Sequence, residues 1–385
     1  MSWLMAVLSL GEAFAEFVKE QSGKLEEVGT FHGPYPSGAP AITASAIAKM
    51  GGRSKFIATV GDDAFGHAFI DRLKRDGVDT SAIRLVKNRT TGMAFVSRLD
   101  GGRTFLFHAR DSATALLGPE DVSLDGATVL HVSGSSLSMG WKLARAVRRA
   151  VAEAKESGVT FSFDPNVRTE VMSEADAQEL RRMTFKADLL LMGEEDVKSL
   201  FAGDPRQLAR KLSFGKTVVL KRGVNGSLLY REGQERPIRV FRMQEVDATG
   251  AGDWFNGAFL TMLERGEDAE FAAEFASAAA AISVTKMAPI DGPDDKAQVL
   301  ELMSKKVRVS SEDFYLHAPC TRGDPEEVGA FSAGHEHAVP RDQLPLGLLR
   351  LARASLAGSA DPSGPLQGSD RGLDRGYRPG PRHFL

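Results

Sequence analysis

The chain has 385 residues and one cysteine, Cys320, so no disulfide can form within it. A chain of this length must be held by its core, and the thiol content fits a reducing compartment such as the cytoplasm. Runs of about 18 or more apolar residues are missing, which excludes a spanning helix and leaves no membrane to expect. An excess of one charge sign is missing too. The 48 Lys and Arg stand against 51 Asp and Glu, a formal net charge of -3, so no basic field draws nucleic acid through counterion release. The first residues, MSWLMAVLSLGE, carry neither the basic segment nor the small-residue cleavage pattern of a signal peptide, and read as a buried first strand. A GxGxxG is absent after that strand, where Gly11-Glu12-Ala13 stands instead, so a nicotinamide oxidoreductase is not indicated. Apolar residues are plentiful, at 42% against 26% charged, enough for a large core.

The most informative stretch is 246–259, VDATGAGDWFNGAF. Asp247, the compact Gly250-Ala251-Gly252 and Asp253 precede apolar residues at helical spacing, Phe255, Phe259 and Met262/Leu263. This is a turn feeding a helix. The first amides of a helix are unpaired and its dipole adds partial positive charge, so glycines that expose those amides make an anion pocket. Asp253 falls in the first turn, beside any bound phosphate. A carboxylate there repels the anion unless it has a task such as accepting a proton from an attacking hydroxyl. Phosphoryl transfer is the first expectation.

Elsewhere, residues 5–10 form a continuous apolar run of the kind covered on both faces of a parallel sheet, with Glu12 at the strand end where ligands gather. Sparser apolar residues over 14–31, and two β-rich runs at 91–99 and 103–109 around Asp100-Gly101-Gly102, predict a flap of short strands. Ser37-Gly38-Ala39-Pro40 opens a small-residue helix through Met50, and a strand over 56–60 leads into a helix capped by Asp62 or Asp63. Strands at 128–132, 159–163, 188–192 and 217–221 then alternate with helices at 139–157 and 173–185 and with helices beginning at Glu194 and Pro205. Such alternation predicts a parallel sheet. Further β runs at 226–230 and 238–241 precede helices over 251–265, 268–285 and about 294–305. From about 308 the texture changes, with roughly half of the 17 prolines in the last fifth of the chain. Residues 308–385 are expected to form a disordered tail, in which only 344–356 has the spacing of a short helix.

Taken together these pieces resemble the ribokinase-like, PfkB-type carbohydrate kinases. The most specific is DATGAGD at 247–253; SGAPA around Gly38, GDDAFG around Asp62, DPNVR at 164–168 and KRG at 221–223 occur in the family's order. The resemblance covers about 5–305 and implies an α/β/α sandwich in three layers, with a mainly parallel central sheet and a small β lid. It implies one kinase domain over 1–307, a lid built from about 14–36 and 89–110, and a possible homodimer through that lid. Asp253 would be the base, with Gly250, Ala251 and Gly252 holding the transferring phosphate. Thr249 would lie near the phosphates, Lys221, Gly223 and Gly226 would border the nucleotide, and ATP would bring Mg²⁺ with it. Two departures stand out: Ile42 where the family usually has Asn, and Gly193-Glu194-Glu195-Asp196 where it usually has Asn-x-x-Glu. Asp196 could still act on magnesium through water.

For the substrate, Arg168 follows a predicted strand and offers a planar fork suited to a carboxylate, or else pairs internally with Asp164. FLFHARDSA adds His108 and Arg110 from the lid and resembles a piece of the 2-keto-3-deoxygluconate kinases. Two arginines converging on one pocket would favour an acidic sugar, with fructose as the alternative because fructokinases share the DPNVR-type piece. Glu12 and Gly38 would complete the sugar side.

Overall fold

A computed structural model describes residues 6–99 and 102–305. The expectations for the 308–385 tail and its 344–356 helix fall outside the described residues. In β1 (Val7–Leu10) every residue is buried, as a run without a polar face requires. The chain leaves the sheet to form β2 (Phe14–Lys19) and β3 (Phe31–Ser37), and returns through α1 (Ala39–Lys49) to β4 (Ser54–Gly61). Of the two candidate caps of α2 (Ala64–Asp76), Asp63 serves: its carboxylate accepts the Gly66 amide at 2.8 Å. After β5 (Ile83–Val86) a second excursion makes β6 (Gly92–Leu99) and β7 (Gly102–His108).

The alternating part follows as β8 (Val129–Ser133), α3 (Trp141–Ser157), β9 (Thr160–Asp164), α4 (Glu174–Lys186), β10 (Leu189–Gly193), α5 (Glu194–Leu200), α6 (Pro205–Leu212) and β11 (Thr217–Lys221). A hairpin of β12 (Ser227–Arg231) and β13 (Gln234–Ile238) closes the sheet, and α7 (Ala251–Glu264), α8 (Ala269–Ser283) and α9 (Lys296–Ser304) end the described chain.

The large sheet has nine strands in the order β13-β12-β11-β10-β9-β8-β1-β4-β5. From β11 to β5 every neighbouring pair is parallel; β12 and β13 are antiparallel. The small sheet, β3-β2-β6-β7, unites the two excursions and corresponds to the predicted flap of short strands, with β2 and β6 parallel between two antiparallel pairs. Strand order reverses at β1, which has β4 on one side and β8 on the other, so the crevice of this open sheet lies at the carboxyl ends of β1 and β8. The first excursion leaves from the end of β1 and the second from the edge strand β5. No helix among the described residues is long and apolar enough to cross a membrane.

Two differences from expectation have local causes. The predicted β run at 238–241 is instead β13 at Gln234–Ile238, because Glu232 and Gly233 adopt left-handed φ of 46 and 73° and make a two-residue hairpin turn that pairs Arg231 with Gln234. The edge strand β5 was not anticipated; its burial is only partial, so it carries no strong apolar signal.

Candidate active site

The phosphate side begins at Gly250, which stands before α7 with a left-handed φ of 81°. A Cβ there would lie 2.5 Å from the Pro289 carbonyl oxygen, so only glycine allows the turn to sit this low. Next to it is Ile42, whose Cδ1 would be 3.3 Å from that Cβ. The residue that replaces the family's usual Asn thus packs as an apolar wall behind the turn. Thr249 is held from below: its amide and hydroxyl donate to Asp247 Oδ1 at 2.8 and 2.7 Å.

Lys221, at the end of β11, reaches across the sheet edge toward this turn. Its ammonium donates to Asp164 Oδ2 at 2.6 Å and to Asn256 Oδ1 at 3.0 Å, while Asn256 Nδ2 donates to the same Asp164 oxygen at 2.6 Å. A Cβ on Gly252 would come 3.5 Å from Lys221 Nζ, which puts the cation beside the anion turn. Gly223 and Gly226 frame the tight loop between β11 and β12, in which the Arg222 amide donates to the Gly226 carbonyl at 2.8 Å.

Asp253 lies in the first turn of α7, 7% exposed. Burial pushes its carboxyl well above the usual carboxylate range, and the nearby charge of Asp164 adds to this; Lys221 and Arg168 oppose it, and Glu12 adds a smaller push upward. A carboxylate whose proton affinity is raised in this way is suited to accept a proton from an alcohol. On the sugar side, Glu12 follows β1 and accepts hydrogen bonds from Ser135 Oγ at 2.6 Å and from Ser136 Oγ, both in the 3₁₀ turn after β8. Gly38, at φ 117°, brings the start of α1 against the Glu12 backbone, where a Cβ would be 2.4 Å from the Glu12 carbonyl oxygen.

Arg168 donates to the Val167 carbonyl at 3.1 Å, and its guanidinium carbon lies 5.3 Å from the centroid of the Phe105 ring on the lid. Its charge acts on Glu12, Glu16, Asp196 and Asp253. Asp196 Oδ1 accepts the Val167 amide at 2.9 Å and Oδ2 the Gly193 amide at 3.2 Å, tying the ends of β9 and β10 together. Burial and the Asp164 charge push its carboxyl up to about 6.

Arg110 takes a different partner from Arg168. It is exposed and donates to the Val171 carbonyl at 3.0 Å, on the wall of a 510 Å³ cavity that also involves Phe107, His108 and Glu170. Among the described residues no hydrogen bond or ion pair joins it to the Asp253 group.

Sequence reasoning did not assign Asp164, Asn256, Glu16 or Arg103 to the site. For Asn256 a signal existed, a lone amide on an otherwise apolar helix three residues after Asp253. Glu16 and Arg103 lie on lid strands whose register cannot be read from local spacing.

A glycine turn before α7, a buried carboxylate in its first turn and a small sheet beside the parallel one form an arrangement able to pass a phosphoryl group to a hydroxyl compound. The family model described as pfkB family carbohydrate kinase matches residues 6–296, and the chain belongs to that family. It is a carbohydrate kinase. A relative from Arabidopsis thaliana named probable fructokinase-5 is 32% identical over 319 residues, covering 78% of this chain and 98% of that protein. Among solved structures, a putative ribokinase II from E. coli, in complex with ATP and Mg²⁺, is 32% identical with a TM-score of 0.71, covering 78% of this chain and 99% of its own. A 2-dehydro-3-deoxygluconokinase from Thermotoga maritima has a TM-score of 0.70, covering 78% of this chain and 100% of its own, but is 24% identical, a likeness of fold alone. The expected special closeness to the acidic-sugar kinases therefore gives way to the coarser family, in which this similarity to a fructokinase is the greater.

Proposed function

We propose that the protein transfers the terminal phosphoryl group of ATP to a hydroxyl of fructose. The observation that carries this choice of sugar is the setting of Arg168, whose positive charge faces the carboxyl groups of Glu12, Glu16, Asp196 and Asp253, so that acidic groups outnumber it there. Arg110, the second cation that an acidic sugar would call for, has the Val171 carbonyl as its partner instead. A neutral polyol fits this surplus of acceptors, since each hydroxyl can donate to a carboxylate.

The residues present fit ATP with Mg²⁺. The open backbone at Gly252 beside Lys221 is a cradle that a larger side chain would fill, and Asp164 and Asp196 put carboxylates on the same edge, suited to a cation that keeps several waters. ATP supplies the phosphoryl group, and Mg²⁺ the neutralisation of its charge. In this reading Gly250, Ala251 and Gly252 direct amides at the phosphate, Lys221 adds a fixed charge, and Gly223 and Gly226 border the base and ribose. Asp253 takes the proton of the attacking hydroxyl, and Glu12 and Arg168 orient the sugar. The lid covers the reacting atoms, and its exposed Leu99 and Leu106 form the surface a second copy would bury in a dimer.

The test is ADP release from ATP with fructose, 2-keto-3-deoxygluconate, ribose and adenosine offered separately. Fructose is expected to give the highest kcat/KM. Faster turnover of 2-keto-3-deoxygluconate would reverse the assignment of the sugar, and sugar binding without turnover would make the protein a sugar-responsive binding module.

A further inference from the structure

Arg98 on β6 and Arg103 on β7 are directly opposite each other in the lid hairpin. Like charges in cross-strand register are unfavourable, so each needs an acceptor elsewhere. Both find it in the same short segment of the large domain. Arg98 Nη1 donates to the Val246 carbonyl at 3.0 Å, and Arg103 Nη2 lies 3.2 Å from Asp247 Oδ1 and 3.6 Å from Glu245. That same Asp247 oxygen holds the Thr249 amide and hydroxyl, and Thr249 leads straight into Gly250. A continuous chain of contacts thus runs from the lid to the anion turn.

We propose that Arg103 is a positioning residue: by latching the lid hairpin onto Asp247 it holds the carboxylate that fixes Thr249 and so sets the phosphate-binding turn. Asp247 has a side chain only 2% exposed, and its Oδ2, like Arg103 Nε, is buried without a hydrogen-bond partner. Removing the guanidinium would take the counter-charge from a buried carboxylate, which is strongly disfavoured, and would loosen the group that holds Thr249. Glu16, on the lid strand β2, reports the same crowding. Burial raises its carboxyl to about 7, with Asp247 pushing up and Arg103 pulling down.

The inference rests on the sugar-kinase reading for its kinetics but not for its structural arm. Amide hydrogen exchange at Thr249 in the ligand-free, full-length protein is expected to be about tenfold faster in Arg103→Gln, with Arg103→Lys intermediate because it keeps the charge. Unchanged Thr249 exchange in a folded Arg103→Gln protein would overturn the latch, whether or not fructose is a substrate. If Arg103→Gln does not fold, Arg103→Lys decides: Thr249 must exchange faster than in the parent while β8 amides keep the parent rate, and equal rates overturn the proposal. With ATP and fructose, Arg103→Gln should lower kcat about 10- to 100-fold with KM for fructose within about 3-fold, as expected for a misplaced reacting group. A rise in KM at unchanged kcat would make Arg103 a sugar contact and overturn the positioning role. A parent enzyme that turns over no sugar would remove the functional reading while leaving the exchange result to decide the latch.

Discussion

The two sides of the cleft are made of different material. On the proposed phosphate side the groups open to a ligand are backbone amides at the start of α7, released by the left-handed turn at Gly250 and the open face of Gly252. On the proposed sugar side they are ionisable side chains from separate elements: Glu12 after β1, Arg168 after β9, and Glu16 on the small sheet. A backbone amide has no rotamer to lose and no proton to gain, so its behaviour follows from the path of the chain. A buried carboxylate takes its charge state from its neighbours, as the raised pKa values of Glu12, Glu16 and Asp253 show. The phosphate side can therefore be kept by keeping a few glycines, whereas the sugar side can be retuned by any neighbour that changes a charge.

Breaking the comparison begins where the two sides meet, at Asp253. Asp253→Asn should lower kcat by roughly 10² to 10⁴ while ATP binding, measured by calorimetry, is retained. The parent's kcat/KM should fall on the acid side at a pH above the ordinary carboxylate range, because turnover needs the deprotonated form of a group that burial holds protonated to higher pH. An Asp253→Asn enzyme with full activity would remove the residue from the mechanism.

Gly250→Ala tests the backbone side. The added Cβ must clear the Pro289 oxygen, and the left-handed φ alone costs about 1–2 kcal/mol. Turnover is expected to fall by about 10- to 100-fold, with a lower melting temperature. Unchanged kinetics would show that the path of this turn does not matter.

The smallest effect on turnover is expected from Glu16→Gln, which sharpens the contrast through pH. Glu16 has a folded-state pKa of about 7 against an ordinary value of 4.5. Between those values the folded protein holds a proton that the unfolded chain has released, so stability is lost as pH rises through that window. The loss attributable to Glu16 is at most about 3 kcal/mol. Urea unfolding at the two ends of the window should show a smaller loss in Glu16→Gln than in the parent. An identical loss in both would mean that Glu16 titrates normally.

The same division governs what could be read from the sequence. Glycine spacing in DATGAGD, the apolar run before Glu12 and the strand–helix alternation are local signals, and they led to the large parallel sheet, the small second sheet and the turn before α7. The long-range polar contacts escaped because they depend on which residues meet across long stretches of chain. Asp164 and Asn256 are separated by 92 positions and Arg98 and Val246 by 148, so no periodicity reports either meeting. The convergence of Arg110 with Arg168 rests on charge and on the resemblance of FLFHARDSA, whereas Arg110, beyond the end of β7, donates to the Val171 carbonyl. The acidic-sugar expectation rested on that convergence.

Lys221 shows what such a long-range meeting does for timing. A free lysine side chain samples many rotamers and loses about 2 kcal/mol of that freedom when it is fixed. Here the Asp164 carboxylate and the Asn256 amide oxygen hold the ammonium before any ligand arrives. The ordering cost is thus met during folding, not at each turnover, and the cation does not have to move as charge shifts along the reaction path. In thermochemical terms, phosphate capture by this side chain, in the proposed reading, should carry little entropic penalty.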